Sequence, residues 1–98
     1  MRRWMLTGLI VAATLPASAR AQAVDVTVLA ASCATCHGPA LRGSGAIPSI
    51  RGRRAADLAS ALHAFQSGER PATIMTRLSK GWSAAEIDAL AAKLGSAP

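Results

Sequence analysis

Cys33-Ala34-Thr35-Cys36-His37 is the stretch on which the reading of this chain turns. Two cysteines two residues apart, followed at once by a histidine, form the attachment pattern of a c-type haem. On a helix, positions 33, 36 and 37 are three and four apart, so both sulfurs and the imidazole share one face. Each thiol can then add across one haem vinyl group to form a thioether. The His37 imidazole can approach the iron as its proximal ligand. Two other chemistries use such cysteines. A redox dithiol expects a thioredoxin-like alternation of strands and helices, which is not visible here. A structural zinc site needs four ligands, and Cys33, Cys36 and His37 find one further histidine in the chain, His63.

Ninety-eight residues allow one domain, and the start does not read as part of it. Met1-Arg2-Arg3 precedes an uncharged, largely apolar run from Trp4 to Leu15. Pro16 follows, then the small-residue sites Ala17-Ser18-Ala19, Ala19-Arg20-Ala21 and Ala21-Gln22-Ala23. This is the order of a secretory signal peptide, expected over residues 1–21 with cleavage near 19–23. The run is short of the ~20 residues of a membrane-spanning helix. A single haem-binding domain is expected over 22–98. Export places that domain in the periplasm, without a membrane anchor after cleavage. Loss of Arg2, Arg3 and Arg20 leaves eight basic residues against five acidic, and the formal charge falls from +6 to +3. A mild positive charge suits an acidic partner surface. No basic run with interleaved aromatics points to nucleic acid.

So short a domain is marginal alone. Chains near 60 residues bury only roughly 60% of the surface they expose when unfolded, and Phe65 and Trp82 are the only aromatic residues beyond the leader. A large apolar macrocycle would supply the missing core.

The pattern predicts an all-α fold with three main helices and loops wrapped around one covalent haem. Val24-Asp25-Val26-Thr27-Val28 alternates like a strand, yet Leu29-Ala30-Ala31-Ser32 and the cysteine spacing favour a helix from about Val26 to Cys36. Gly38, Gly43, Gly45 and Gly52, with Pro39 and Pro48, then mark a loop. This loop is expected to wrap one edge of the haem and offer a carbonyl near Pro48 to the outer nitrogen of His37. A second helix is expected from Arg53 to Ser67, its apolar stripe being Leu58, Leu62 and Phe65. Gly68 stops it and Pro71 prevents resumption. His63, about 100° around that helix from Leu62, reads as a surface residue. Ser83 and Glu86 form a capping box for the last helix, which buries Ile87, Leu90, Ala91 and Leu94 and ends at Gly95. Its stripe is expected to cross the first helix at Ala30, Ala31 and Ala34. Met75, in the stretch from Pro71 to Gly81 read as a loop, is the one methionine beyond the leader. Core filling is the default for such a residue. Beside a haem motif, its thioether is a candidate second axial ligand, which favours ferrous iron and raises the potential.

With these residues in place the chain resembles the class I cytochromes c over essentially all of 22–98. Within that family it is most similar to the cytochrome subunits of flavocytochrome c sulfide dehydrogenases. The matching segments are Cys33-Ala34-Thr35-Cys36-His37-Gly38, Ala46-Ile47-Pro48-Ser49-Ile50-Arg51-Gly52 and Phe65-Gln66-Ser67-Gly68-Glu69-Arg70, with Thr73-Ile74-Met75, Leu78-Ser79-Lys80-Gly81-Trp82-Ser83 and Glu86-Ile87. The haem motif is specific for the chemistry. The run from Thr73 to Ser83 narrows the subfamily. The resemblance implies a periplasmic monohaem protein with Cys33 and Cys36 bonded to haem c and His37 and Met75 as axial ligands. It further implies a flavoprotein (FAD) partner subunit that oxidises sulfide and passes electrons on singly. Some members of that family carry a second attachment motif, which this chain lacks, and Lys93-Leu94 stand here where an aromatic often occurs late in the last helix.

With both axial positions filled by protein, no coordination site is open to substrate, and no catalysis is expected from this chain alone. The functions to distinguish are an electron-transfer subunit docked on a flavoprotein dehydrogenase, a freely diffusing carrier serving an oxidase or other periplasmic enzyme, and a dithiol oxidoreductase using Cys33 and Cys36.

Overall fold

Asp25 settles the competition between strand and helix. Its carboxylate accepts the Thr27 backbone N–H at 2.8 Å, an N-cap that starts α1 (Val26–His37). The strand-like alternation of Val24 to Val28 therefore yields to a helix that the following alanines extend. Gly38, at φ 88°, ends α1. The computed structural model describes residue 8 and residues 10–13 and 25–96. The expected leader lies outside the described residues except for residues 8 and 10–13, which are exposed and irregular; the cleavage sites and the start of the domain at 22 lie outside them too.

Three further helices follow: α2 (Ala55–Ser67), α3 (Ile74–Ser79) and α4 (Ala84–Leu94). No strand occurs among the described residues, where β pairing is confined to isolated bridges between Ser44 and Ile47 and between Arg54 and Ser96. The fold is all-α, with the three main helices near their expected places. Arg54 is the N-cap residue of α2 and makes no side-chain capping bond, so that helix begins at Ala55 rather than Arg53. Gly68 closes it in the left-handed conformation that a residue without Cβ adopts freely. α4 has the reciprocal cap: Ser83 N–H donates to Glu86 Oε1 at 3.0 Å and Glu86 N–H to Ser83 Oγ at 3.1 Å.

α3 is the addition. The stretch read as a loop contains a six-residue helix, and Met75 lies in its first turn. Its sequence signals are poor, since Thr73 makes no capping bond and Ile74 and Thr76 are β-branched. Tertiary ties supply what propensity lacks. The Gln66 side-chain amide of α2 donates to the Ser79 carbonyl at 2.8 Å and to the Trp82 carbonyl, fixing the turn between α3 and α4.

α4 is the hub. Ile87, Leu90 and Ala91 are almost wholly buried, and α4 packs on both α1 and α2, while α2 also carries α3. Leu62, Ile87 and Leu90 form the centre. Val26, Leu29, Ala30 and Cys33 from α1 close on it, together with Phe65, Met75, Trp82 and Leu94. The α1 set falls at steps of three, one and three, a single helical stripe. Ala30 belongs to it, whereas Ala31 is exposed, so the expected crossing on Ala30, Ala31 and Ala34 holds only in part.

After α4 the chain is fastened to the start of α2. Ser96 N–H donates to the Arg53 carbonyl at 2.9 Å, and Ala55 N–H to the Ser96 carbonyl at 3.4 Å. This pairing brings the backbones so close that a Cβ on Gly95 would lie 2.4 Å from Ala55 Cα. Gly95 has an ordinary φ of −78°, so the constraint is contact rather than backbone strain. Gly95→Ala is therefore expected to cost about 1–3 kcal/mol and to lower the midpoint of thermal unfolding in circular dichroism. Gly81→Ala, whose Cβ would meet only the Leu78 carbonyl at 3.4 Å, should unfold close to wild type.

Candidate haem site

The last turn of α1 places Cys33, Cys36 and His37 together, as the spacing requires. Cys33 is half-buried against the Leu62, Ile87 and Leu90 cluster, and its thiol donates to the Leu29 carbonyl at 3.6 Å. Cys36 is exposed, and both thiols are free. His37 is 8% exposed. Its Nδ1 lies 2.7 Å from the Pro48 carbonyl oxygen. A carbonyl can only accept, so Nδ1 carries the proton and the Nε2 lone pair is left for a metal.

The loop from Gly38 to Arg54 brings Pro48 to this position through backbone bonds. Gly43 N–H donates to the His37 carbonyl at 2.8 Å and Leu41 N–H to the Gly38 carbonyl at 2.9 Å. Ser44 and Ile47 exchange two N–H···O bonds of 2.9 Å, closing a tight turn. Leu41 sits at φ 57°, an uncommon conformation for a residue with Cβ. Its carbonyl accepts the N–H groups of both Ile50 and Arg51, which holds the strained residue in place. Nothing in the sequence marks Leu41 for this part.

Met75 is half-buried and packs on the same cluster as Cys33, so α3 and α1 bring their sulfur atoms to one apolar region. The large apolar side chains of Ile74 and Leu78, on the same helix, are 58% and 48% exposed, and Ile47 of the loop is 37% exposed. Periodicity does not single these residues out, because it marks apolar positions without saying what covers them.

The donor set fits an iron porphyrin held by two thioethers. It offers two unoxidised thiols, an imidazole with its proton fixed on the outer nitrogen, a thioether, and apolar surface that the small protein core does not cover. The alternatives fit less well. Burial pushes the Cys33 thiol above its ordinary value, although its backbone hydrogen bond works the other way. A redox dithiol needs a stabilised thiolate, typically at a helix N-terminus, whereas these cysteines lie near the negative end of α1. As for zinc, no group of three His, Cys, Asp or Glu residues among those described could hold a metal ion. His63, the fourth ligand that zinc would need, is instead 2.7 Å from Asp88 Oδ1, joining α2 to α4.

The cytochrome c family model matches residues 26–97. The chain is also 40% identical over 68 residues to the cytochrome subunit of sulfide dehydrogenase from Chlorobaculum tepidum. That alignment covers 69% of this chain and 62% of the relative, so the chain spans less than two thirds of the relative's length.

The pairing of His63 with Asp88 sets an expectation for a variant. Both partners are substantially exposed, so His63→Gln should change stability by less than about 1 kcal/mol. It should leave haem content and the visible spectrum unaltered, as checked by pyridine haemochrome assay of the purified protein.

Proposed function

Because the chain belongs to the cytochrome c family and so carries covalent haem c and serves electron transfer, we propose that it is a periplasmic, His/Met-ligated electron acceptor for a flavoprotein sulfide dehydrogenase. The observation that carries the site assignment is the last turn of α1. It sets two free thiols beside a buried imidazole whose outer nitrogen is already bonded to the Pro48 carbonyl.

Cys33 and Cys36 would hold the ring through thioethers, and His37 and Met75 would fill the axial positions. When bound, the haem supplies a one-electron ferric/ferrous couple. The protein's own residues set the conditions for that couple. The Pro48 carbonyl fixes the His37 tautomer and orientation and makes the imidazole a stronger donor. The Met75 thioether favours the ferrous state. The exposed side chains of Ile47, Ile74 and Leu78 would offer an apolar macrocycle a surface to cover. With His37 and Met75 both holding the iron, no position would be left for substrate, and sulfide chemistry would fall to a flavin-bearing partner.

Support for that partner comes from the relative, which is a cytochrome subunit of sulfide dehydrogenase, and from charge. The loop that supplies Pro48 exposes Arg42, Arg51, Arg53 and Arg54 and contains no acidic residue from Gly38 to Arg54, which suits a negatively charged docking surface. Export under the leader over 1–21, leaving a monohaem domain over 22–98, places the protein where such a complex would form.

The ligand assignment is tested by absorbance. Ferric wild-type protein should show the weak long-wavelength sulfur-to-iron band, and Met75→Ala should lack it; a band that survives the substitution would remove Met75 from the iron. The partner is tested by affinity purification of the exported protein from its own periplasm. A co-purifying chain with flavin absorbance supports the subunit reading, whereas recovery of the cytochrome alone at low salt supports a freely diffusing carrier.

A further inference from the structure

Gly43 is the point of closest approach in the loop that supports His37. A Cβ built on it would lie 2.2 Å from the Ile47 carbonyl oxygen, 2.5 Å from the Pro48 carbonyl carbon and 2.6 Å from the Pro48 carbonyl oxygen. All three are backbone atoms, so no flexible side chain can swing aside to make room. Nor can the turn open freely, because the paired bonds between Ser44 and Ile47 hold it shut and Gly43 N–H is committed to the His37 carbonyl. The Pro48 oxygen that would be displaced is the acceptor 2.7 Å from His37 Nδ1.

We propose that Gly43 is a positioning residue for the axial histidine: its lack of a side chain lets the Pro48 carbonyl reach His37 Nδ1, and so sets the donor strength of the imidazole and the reduction potential. The inference rests on the proposed ligation by His37. A hydrogen bond of this kind spans about 2.7–3.2 Å and is lost by about 3.6 Å, so a carbonyl at 2.7 Å is released by a shift of about 1 Å. Losing it lowers the basicity of the ligand. A weaker donor stabilises ferric iron less, and the midpoint potential rises.

Backbone strain can be separated from contact within the same loop. Gly43 and Gly45 both have positive φ, 69° and 55°, but a Cβ on Gly45 meets nothing within 4 Å. Gly45→Ala therefore carries strain like that of Gly43→Ala without its collision. Gly43→Asn adds a residue type that enters the left-handed region readily, keeping the collision with less strain, and carries the test if the alanine variant does not accumulate. For each haem-loaded protein the midpoint potential, the solvent exchange of the His37 Nδ1 proton by NMR, and the thermal midpoint are measured. The expected result is a raised potential and faster Nδ1 proton exchange in both Gly43 variants, with Gly45→Ala at the wild-type values of both. Three results would overturn the proposal: a lowered thermal midpoint with unchanged potential and exchange, an equal shift in Gly45→Ala, or failure of both Gly43 variants to accumulate while Gly45→Ala does. The last would make Gly43 a folding residue. If wild-type protein itself shows no iron-bound imidazole, the ligation by His37 fails and the inference falls with it. An imidazole that is bound but insensitive to Gly43 removes the inference alone.

Discussion

The hydrogen bond from His37 Nδ1 to the Pro48 carbonyl ties together two parts of the chain that local sequence rules leave independent. α1 has its local start signal in the Asp25 cap and its alanines, and neither says anything of the loop that follows. The loop, rich in glycine, has little intrinsic preference for one shape. Once the two are joined, the imidazole has a fixed tautomer and the loop a fixed end. The bonds around Leu41, Gly43 and Ser44 then have a geometry to enforce. A buried imidazole needs a partner for its N–H in any case. Satisfying that requirement through a carbonyl leaves the second nitrogen basic and ready for a metal.

The same economy governs the core. Only Leu58, Leu62, Ile87, Leu90 and Ala91 are buried among the described apolar residues, a small set for a domain of this size. α4 makes the most of it by packing on both α1 and α2, and Ser96 fastens the chain after α4 to the extended residues leading into α2. Among the large apolar groups left outside that core, Ile74 and Leu78 lie on α3, Ile47 in the loop and Val28 on α1, with Ile10 and Val11 far upstream. Covalent haem belongs to the family's architecture, and an apolar macrocycle is the kind of group such side chains can cover. Stability and cofactor retention are thus two aspects of one packing problem in this chain.

What the sequence made legible follows from which interactions are local. The attachment stretch, the capping box of Ser83 and Glu86 and the stop at Gly68 are decided within a few residues, and each has its expected helical setting in the structure. Long-range effects were less visible. α3 is held by Gln66, thirteen residues before the Ser79 carbonyl that it grips, and it is too short and too poorly capped to stand out locally. The exposure of Ala31 depends on how α1 is rotated on α4, which the alanine-rich pattern leaves undetermined. Gly43 and Gly45 look alike in the sequence, yet one faces backbone on three atoms and the other open space. The glycines could be counted in advance, but the distinction between them is a property of the folded loop.

Under the proposed ligation the two axial groups have unequal supports. His37 ends a twelve-residue helix and is braced from the far side by Pro48. Met75 lies in the first turn of a six-residue helix without a side-chain cap, secured through Gln66 at its opposite end. Short elements with exposed apolar faces and few capping bonds open at lower free energy than the packed helices around them. The methionine side is therefore where this fold would first give way, while the thioethers and His37 keep the ring in place. Such a division suits a one-electron carrier: the histidine side would fix where the metal sits and, through Pro48, how strongly the imidazole donates, while the methionine side, resting on α3 and on α2 behind it, would add the thioether that favours the ferrous state.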